Sequence, residues 1–115
     1  PDMVGHTGSL SAAKVAVETV DEMLGKICAC LDTVGGEALI SADHGNVELM
    51  RDPVSQQPHT AHTTGPVPLL YISARSQRAR LRKGTLADLA PTLLSLMELD
   101  IPAVMTGQSL ISFSH

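Results

Sequence analysis

The residues best suited to chemistry in this 115-residue chain are carboxylates and imidazoles in three short polar segments. Four of the five histidines lie near aspartates or turn residues, whereas the fifth is the terminal His115, which we expect to be inert. Mixed imidazole and carboxylate ligands suit Mn, Zn, Co or Fe ions better than Ca, which prefers oxygen ligands alone. The pattern predicts a metal site drawn from Asp2, His6, Asp43, His44, His59 and His62.

The number of candidate ligands favours two metal ions over one. A single ion needs three or four ligands, and this set offers five or six. Two ions roughly 3.5–4 Å apart are typical of binuclear phosphoryl-transfer sites, where they activate a nucleophile and hold the oxygens of an in-line displacement. The sequence therefore indicates phosphoryl transfer.

A long amphipathic helix separates the first two polar segments. Its apolar positions step by three and four residues, which predicts a helix over residues 9–34. Ser9 or Ser11 can cap its start, and Gly35-Gly36 supplies a left-handed ending. The apolar stripe consists of Leu10, Ala13, Val17, Val20, Leu24, Ile27, Leu31 and Val34.

Two apolar runs predict buried strands beside the other polar segments. Ala38-Leu39-Ile40 lacks polar alternation and ends at Asp43 and His44, while residues 67–72 follow the segment that contains His62. In open α/β sheets the chemistry collects at the carboxyl ends of such strands. This arrangement predicts an α/β fold with the candidate ligands at strand ends.

The second half of the chain predicts one basic loop and one further helix. Residues 73–84 carry five of the eight basic residues without aromatic neighbours, which favours a solvated loop. Because proline is tolerated only in the first turn of a helix, Pro91 predicts a helix with Asp88 as its N-cap and an end near Leu99.

Composition narrows the class of protein. The chain is long enough for one domain, residues 1–115, and the net charge of −4 argues against general nucleic-acid binding. An apolar run of about 18 residues and a secretory leader are both missing, so the sequence supports neither membrane spanning nor secretion. Cys28 and Cys30 are expected to be reduced thiols of a cytoplasmic protein.

Several motifs, taken in order, closely resemble the C-terminal part of cofactor-independent (2,3-bisphosphoglycerate-independent) phosphoglycerate mutase, a member of the alkaline phosphatase superfamily. The likeness extends from the first residue to about Ile111, and the combination is far more specific than any single motif. The motifs are residues 1–8 (PDMVGHTG), 41–46 (SADHGN), 59–63 (HTAHT) with 66–68 (PVP), 86–92 (LADLAPT) and 105–107 (MTG).

The resemblance implies a role for each candidate ligand. Asp2, His6 and His62 would hold one manganese, and Asp43 and His44 would contribute to a second. Two histidines, His59 and His62, precede the Pro-Val-Pro strand. In the family the ligand histidine is the one nearer to that strand, which corresponds to His62. His59 would then be a neighbour of the ligands. The metals implied by the resemblance would be two divalent ions, Mn²⁺ first, with Zn²⁺, Co²⁺, Mg²⁺ or Fe²⁺ as alternatives.

The resemblance also implies a fold, a reaction and a missing part. The fold would be part of an alkaline-phosphatase-like three-layer α/β structure, with a mostly parallel sheet flanked by helices. The family interconverts 3-phosphoglycerate and 2-phosphoglycerate through a phosphoserine, and its nucleophilic serine and substrate clamp precede the matched segment. We therefore expect a fragment that is inactive alone and whose exposed sheet edges favour self-association.

Two other interpretations stay open from the sequence. The chain could derive from another enzyme of the same superfamily, such as a phosphopentomutase or a metal-dependent phosphatase. It could also be a stand-alone metal-binding module whose ligands no longer serve catalysis.

Overall fold

The computed structural model describes residues 1–114, and His115 lies outside them. The described residues form three α-helices, four short strands and two 3₁₀ turns, at Ser76–Arg78 and Leu86–Asp88. In chain order the helices and strands are α1 (Asp2–Gly5), α2 (Leu10–Thr33), β1 (Ala38–Ser41), β2 (Leu69–Ile72), β3 (Ala79–Leu81), α3 (Leu89–Leu96) and β4 (Ile111–Phe113).

Helix α2 confirms the prediction from apolar periodicity almost to the residue. The Ser9 side chain accepts a hydrogen bond from the Ala12 backbone N–H, which satisfies one of the free donors of the first turn. Gly35 follows the helix with φ of +65°, the left-handed conformation that glycine adopts without steric cost. Among the described residues, no helix combines the length and apolar character needed to cross a membrane.

Strands β1 and β2 pair antiparallel, so the expectation of a mostly parallel sheet is wrong for the strands described here. The physical reason is that residues 42–68 double back as an irregular ribbon. Isolated antiparallel bridges join Gly45 to Thr63 and Arg51 to Pro58, and they continue the pairing of Ser41 with Leu69. The chain therefore returns along β1 in the opposite direction, and the two polar segments of the ribbon face each other.

A second antiparallel pair, β3 with β4, corrects the prediction that residues 73–84 are only a solvated loop. Arg75 links the two sheets, because its guanidinium donates to both Glu37 carboxylate oxygens at 2.8 and 3.0 Å and lies 4.9 Å from the Phe113 ring centroid. The Arg75 hydrogen bonds hold the pKa of the Glu37 carboxyl below its ordinary value. The basic segment thus contains structural contacts as well as solvated side chains.

Helix α3 begins at Leu89 with Asp88 in the N-cap position, which confirms the prediction from Pro91, but the Asp88 side chain does not cap this helix. The helix is preceded by the 3₁₀ turn Leu86–Asp88, and the Asp88 carboxylate reaches back to the Thr85 backbone N–H at 2.8 Å, forming a capping box. The other Asp88 oxygen accepts from the Gln108 N–H at 2.7 Å. Helix α3 ends at Leu96, three residues before the predicted end.

The described residues bury little apolar surface. Among the described residues, the buried apolar side chains are Ala13, Tyr71, Pro91 and Leu110, while large side chains such as Val17 and Ile27 on the apolar stripe of α2 are exposed. The accessible surface is 8241 Å², against about 6,000 Å² for a compact monomer of this mass. The Cα radius of gyration of 16.9 Å likewise exceeds the value of about 13 Å for a compact domain.

Thr92 allows a direct test of the packing between α3 and the residues before β4. Its fully buried hydroxyl donates to the Asp88 carbonyl at 2.6 Å and accepts from the Leu110 N–H at 2.8 Å. Replacing Thr92 by valine keeps the shape but leaves the Leu110 donor unpaired, so we expect the free energy of unfolding in urea to fall by about 1–3 kcal/mol.

The matched control is Thr92→Ser, which keeps the hydroxyl and removes only a methyl group. We expect the Leu110 amide to exchange its hydrogen faster in Thr92→Val and to stay protected in Thr92→Ser. Equal protection of that amide in both variants would contradict the role given to the hydroxyl.

The Asp88 carboxylate predicts a pH dependence. The Thr85 and Gln108 backbone N–H groups stabilise its charged form, so they hold the pKa of the Asp88 carboxyl below the ordinary 3.8. Its stabilising contribution is therefore fully present above that value and is lost as the pH falls through the lower, folded-state pKa. In an NMR titration the Thr85 and Gln108 amide shifts should share a midpoint below 3.8, and Asp88→Asn should abolish the shared titration; a midpoint at or above 3.8 would refute the assignment.

Candidate metal centre

The first helical turn, α1, places Asp2 and His6 on the same face. The His6 backbone N–H donates to the Asp2 carbonyl at 3.2 Å, and the four-residue spacing brings the two side chains together. The Asp2 Oδ1 atom lies 3.3 Å from His6 Nε2. The first polar segment therefore forms the local geometry that its sequence spacing makes possible.

The histidine segment of the ribbon brings His62 to the same point. His62 Nε2 lies 3.0 Å from Asp2 Oδ1 and 3.2 Å from His6 Nε2, although 56 residues separate the two histidines. Backbone pairing fixes this position, because the Thr63 N–H donates to the Gly45 carbonyl at 2.8 Å. Asp2, His6 and His62 thus form one compact and largely exposed cluster, which we call the ligand triangle.

The hydrogen bond of His6 indicates which ring nitrogen is free. His6 Nδ1 lies within hydrogen-bond distance of the Thr60 carbonyl. A carbonyl only accepts, so Nδ1 carries the hydrogen of the neutral ring and Nε2 keeps its lone pair. That lone pair is directed toward Asp2 and His62, which is the arrangement expected of a metal-binding histidine oriented by a backbone carbonyl.

The distances within the ligand triangle fit a divalent cation. Nitrogen and oxygen ligands at about 2.0–2.2 Å from an ion lie about 3.0 Å apart at the corners of an octahedron and about 3.4 Å apart in a tetrahedron. The three separations of 3.0, 3.2 and 3.3 Å fall within this range. One carboxylate and two imidazoles also form the donor set expected for Mn, Co, Fe or Zn rather than Ca.

Asp43 and His44 lie beside the ligand triangle without joining it. The His44 ring stacks on the His62 ring with centroids 3.7 Å apart and an interplanar angle of 21°. His44 Nδ1 lies 3.2 Å from the Gly45 carbonyl, whereas His44 Nε2 lies 3.7 Å from Asp43 Oδ1. The Asp43 side chain is 89% exposed, so it is free to take part in a neighbouring site.

His59 stands apart from the ligand triangle. Its backbone N–H donates to the Met50 carbonyl at 3.0 Å, while its ring atom Nδ1 is buried without a hydrogen-bond partner among the described residues. The nearby Asp52 carboxylate accepts the Ser55 backbone N–H, and this hydrogen bond is the main cause that holds the pKa of the Asp52 carboxyl below its ordinary value. His62, not His59, is the histidine that reaches Asp2.

Sequence reasoning missed the residues that brace the ligand triangle. The buried Asn46 amide donates to Asp2 Oδ1 at 3.2 Å, and the Asn46 backbone N–H donates to Glu48 Oε2 at 2.7 Å. The Thr63 hydroxyl donates to Glu48 Oε1, and this bond is the main cause that holds the pKa of the Glu48 carboxyl below its ordinary value. The sequence feature that could have indicated these residues is the polar Asn-x-Glu run directly after Asp-His-Gly.

A cleft of about 730 Å³ opens beside Asp43 and His44. Thr63 also lines this cleft, as do Arg82 and Lys83 from the segment after β3. The candidate metal ligands of the ribbon therefore border a space that is large enough for a small anionic molecule.

Comparison with known proteins agrees with this geometry. A sequence model of the metalloenzyme superfamily matches residues 1–101. The 2,3-bisphosphoglycerate-independent phosphoglycerate mutase of Rhodopseudomonas palustris is 61% identical over 111 residues, which cover 96% of this chain and 21% of that protein. The mutase of the same name from Cereibacter sphaeroides strain ATCC 17029 is 57% identical over 96% of this chain and 22% of that protein.

A solved structure shows the same fold. A crystal structure of Leishmania mexicana phosphoglycerate mutase, obtained at low cobalt concentration, matches 98% of this chain and 23% of that chain, with a TM-score of 0.84 and 35% sequence identity. The chain spans about a fifth of the length of these relatives and corresponds to a C-terminal part of the mutases. From the match over residues 1–101, the chain belongs to the metalloenzyme superfamily.

Proposed function

We propose that this chain supplies the metal-binding C-terminal part of a phosphoglycerate mutase that interconverts 3-phosphoglycerate and 2-phosphoglycerate. The ligand triangle carries the proposal, because His62 lies far along the chain from Asp2 and His6 and yet converges with them at the spacing of metal ligands. The close relatives support the choice of reaction, since they are named as mutases and cover 96% of the chain.

In this proposal the ligand triangle holds one divalent ion. His6 presents its Nε2 lone pair, held in that orientation by the Thr60 carbonyl, and Asp2 presents the oxygen that Asn46 also contacts. His62 completes the set from the ribbon, 3.0 Å from the same Asp2 oxygen. The proposed ion is Mn²⁺, with Co²⁺, Zn²⁺, Mg²⁺ or Fe²⁺ as substitutes that the same donors would accept.

Asp43 and His44 would contribute two ligands to a second ion. They adjoin the ligand triangle through the stacked rings of His44 and His62, which suits two ions that share one pocket. The remaining ligands, the serine that becomes phosphorylated and the groups that bind phosphoglycerate would come from outside this chain. When bound, the ions would lower the pKa of the nucleophile and stabilise charge on the transferring phosphoryl group.

The exposed apolar surface supports a role as part of a larger catalytic domain. We propose that residues 1–115 act as a single unit that packs into a three-layer, alkaline-phosphatase-like domain of a cytoplasmic enzyme of glycolysis and gluconeogenesis. The excess surface, roughly 2,000 Å² above that of a compact monomer, is comparable with the area that obligate partners bury. Without that cover, the chain alone would be inactive and prone to associate with itself.

A hybrid enzyme tests the proposed reaction. This chain would replace the matching 111-residue part of the Rhodopseudomonas palustris mutase. We expect the purified hybrid to convert 3-phosphoglycerate to 2-phosphoglycerate with Mn²⁺, because the chain would present its ligands to the serine of the other part. A folded hybrid that hydrolyses phosphate esters without forming 2-phosphoglycerate would contradict the proposal.

The ligand assignment is tested in the same hybrid with His62→Ala and His59→Ala. Loss of the group that contacts a metal ligand typically reduces activity or metal affinity roughly 10–100-fold, and loss of a ligand itself should cost more. We therefore expect kcat/KM to fall by more than about 100-fold for His62→Ala and by clearly less for His59→Ala. Equal losses, or the reverse order, would show that His62 is not the ligand.

The 115-residue chain on its own provides a further prediction. We expect it to show no turnover and to bind Mn²⁺ more weakly than the hybrid in a calorimetric titration, since its second site is incomplete and its fold is poorly organised in advance. Tight binding of two ions by the chain alone would instead favour a stand-alone metal-binding module.

A further inference from the structure

One acidic side chain outside the candidate ligand set joins two of the segments that carry candidate metal ligands. Glu48 Oε2 accepts the Asn46 backbone N–H at 2.7 Å, and Glu48 Oε1 accepts the Thr63 hydroxyl. Asn46 follows Asp43 and His44, whereas Thr63 follows His62 directly. Glu48 therefore ties together the two sides of the ribbon at the level of the ligands.

The same bracing reaches the third segment through Asn46. Its side-chain amide donates to Asp2 Oδ1 at 3.2 Å, so the chain of contacts runs from Thr63 through Glu48 and Asn46 to Asp2. A buried glycine, Gly5, lies against the Asn46 amide oxygen, and a Cβ at position 5 would collide with it. The close approach of α1 to Asn46 thus depends on the absence of a side chain there.

The Glu48 carboxylate packs closely against Gly45, where there is no room for a side chain. A Cβ added at Gly45 would collide with both Glu48 Oε1 and the Thr63 hydroxyl. The Thr63 N–H also donates to the Gly45 carbonyl, so backbone and side-chain contacts fix the same crossing of the ribbon. Both Glu48 oxygens accept hydrogen bonds within the ribbon. We therefore do not count this carboxylate among the candidate metal ligands.

We propose that Glu48 is a positioning residue for the metal centre, which sets the separation of His62 from the Asp43–Asn46 segment and orients Asp2 through Asn46. This inference rests on the metal-binding function proposed above. Glu48 touches neither an ion nor a substrate in this arrangement. Its effect is to reduce the number of conformations in which the ligands are too far apart to share an ion.

The test measures Co²⁺ binding to the metal-free hybrid by its visible absorption, which reports affinity and ligand geometry without turnover. We expect Glu48→Ala to weaken Co²⁺ binding about 10–100-fold, the usual effect of losing a group that orients a ligand, and to alter the spectrum. We expect Thr63→Val to act in the same direction and Thr63→Ser, which keeps the hydroxyl, to restore affinity and spectrum.

A second buried threonine separates positioning from loss of stability. Thr92 lies between α3 and Leu110, away from the ligand triangle, so Thr92→Val should destabilise the protein and leave Co²⁺ affinity and spectrum unchanged. Parent-like Co²⁺ binding by Glu48→Ala, or equal weakening in Glu48→Ala and Thr92→Val, would overturn the role of Glu48. Failure of the unaltered hybrid to bind Co²⁺ would instead reject the proposed metal function itself.

Discussion

Two imidazole nitrogens face each other across 3.2 Å, and both approach one carboxylate oxygen, at 3.0 and 3.3 Å. The Thr60 carbonyl occupies the other nitrogen of His6, so a neutral His6 presents only a lone pair to this point. One hydrogen on His62 Nε2 can be directed well at Asp2 or at His6, but it cannot satisfy all three contacts. A divalent ion at the centre would satisfy every one of them at once.

The described helices and strands bring the two imidazoles and the carboxylate together. Helix α1 is a single turn that pairs Asp2 with His6, and the ribbon formed by residues 42–68 carries His62 back to meet them. Because the two sides of the ribbon are antiparallel, His44 arrives opposite His62 and the rings stack. The helices, sheets and the Arg75–Glu37 pair stabilise the frame, while large apolar side chains of α2, such as Val17 and Ile27, stay exposed among the described residues.

Local patterns predicted the local structure well. The apolar period of α2, the Ser9 cap and the left-handed Gly35 all depend on neighbouring residues, and the structure confirms them. The predicted parallel direction of the strands was wrong, because strand direction depends on the path of the connecting residues 42–68. The sequences of the strands themselves do not determine that path. The position of Asp88 before α3 was predicted, but its contact with Gln108 was missed for a similar reason, since Gln108 lies twenty residues away along the chain.

In the candidate site, too, some features could be predicted from the local sequence, whereas others depend on contacts between distant residues. Residue type and spacing gave six candidate ligands without dividing them between sites, and the choice of His62 over His59 came from the family resemblance. The braces Asn46 and Glu48 could not be recognised in the same way, because their functions depend on contacts across the ribbon. A polar residue in a turn is usually solvated, and only the three-dimensional arrangement shows that these two connect the ligand segments.

The central claim is that Asp2, His6 and His62 bind one ion together. Its most direct test is anomalous X-ray diffraction from crystals of the hybrid enzyme grown with Co²⁺. The expected result is a peak about 2.1 Å from Asp2 Oδ1, His6 Nε2 and His62 Nε2, with all three atoms in its coordination sphere. A fully occupied cobalt site that excludes any of these atoms, or a direct hydrogen bond between the two imidazoles in the presence of excess Co²⁺, would contradict it.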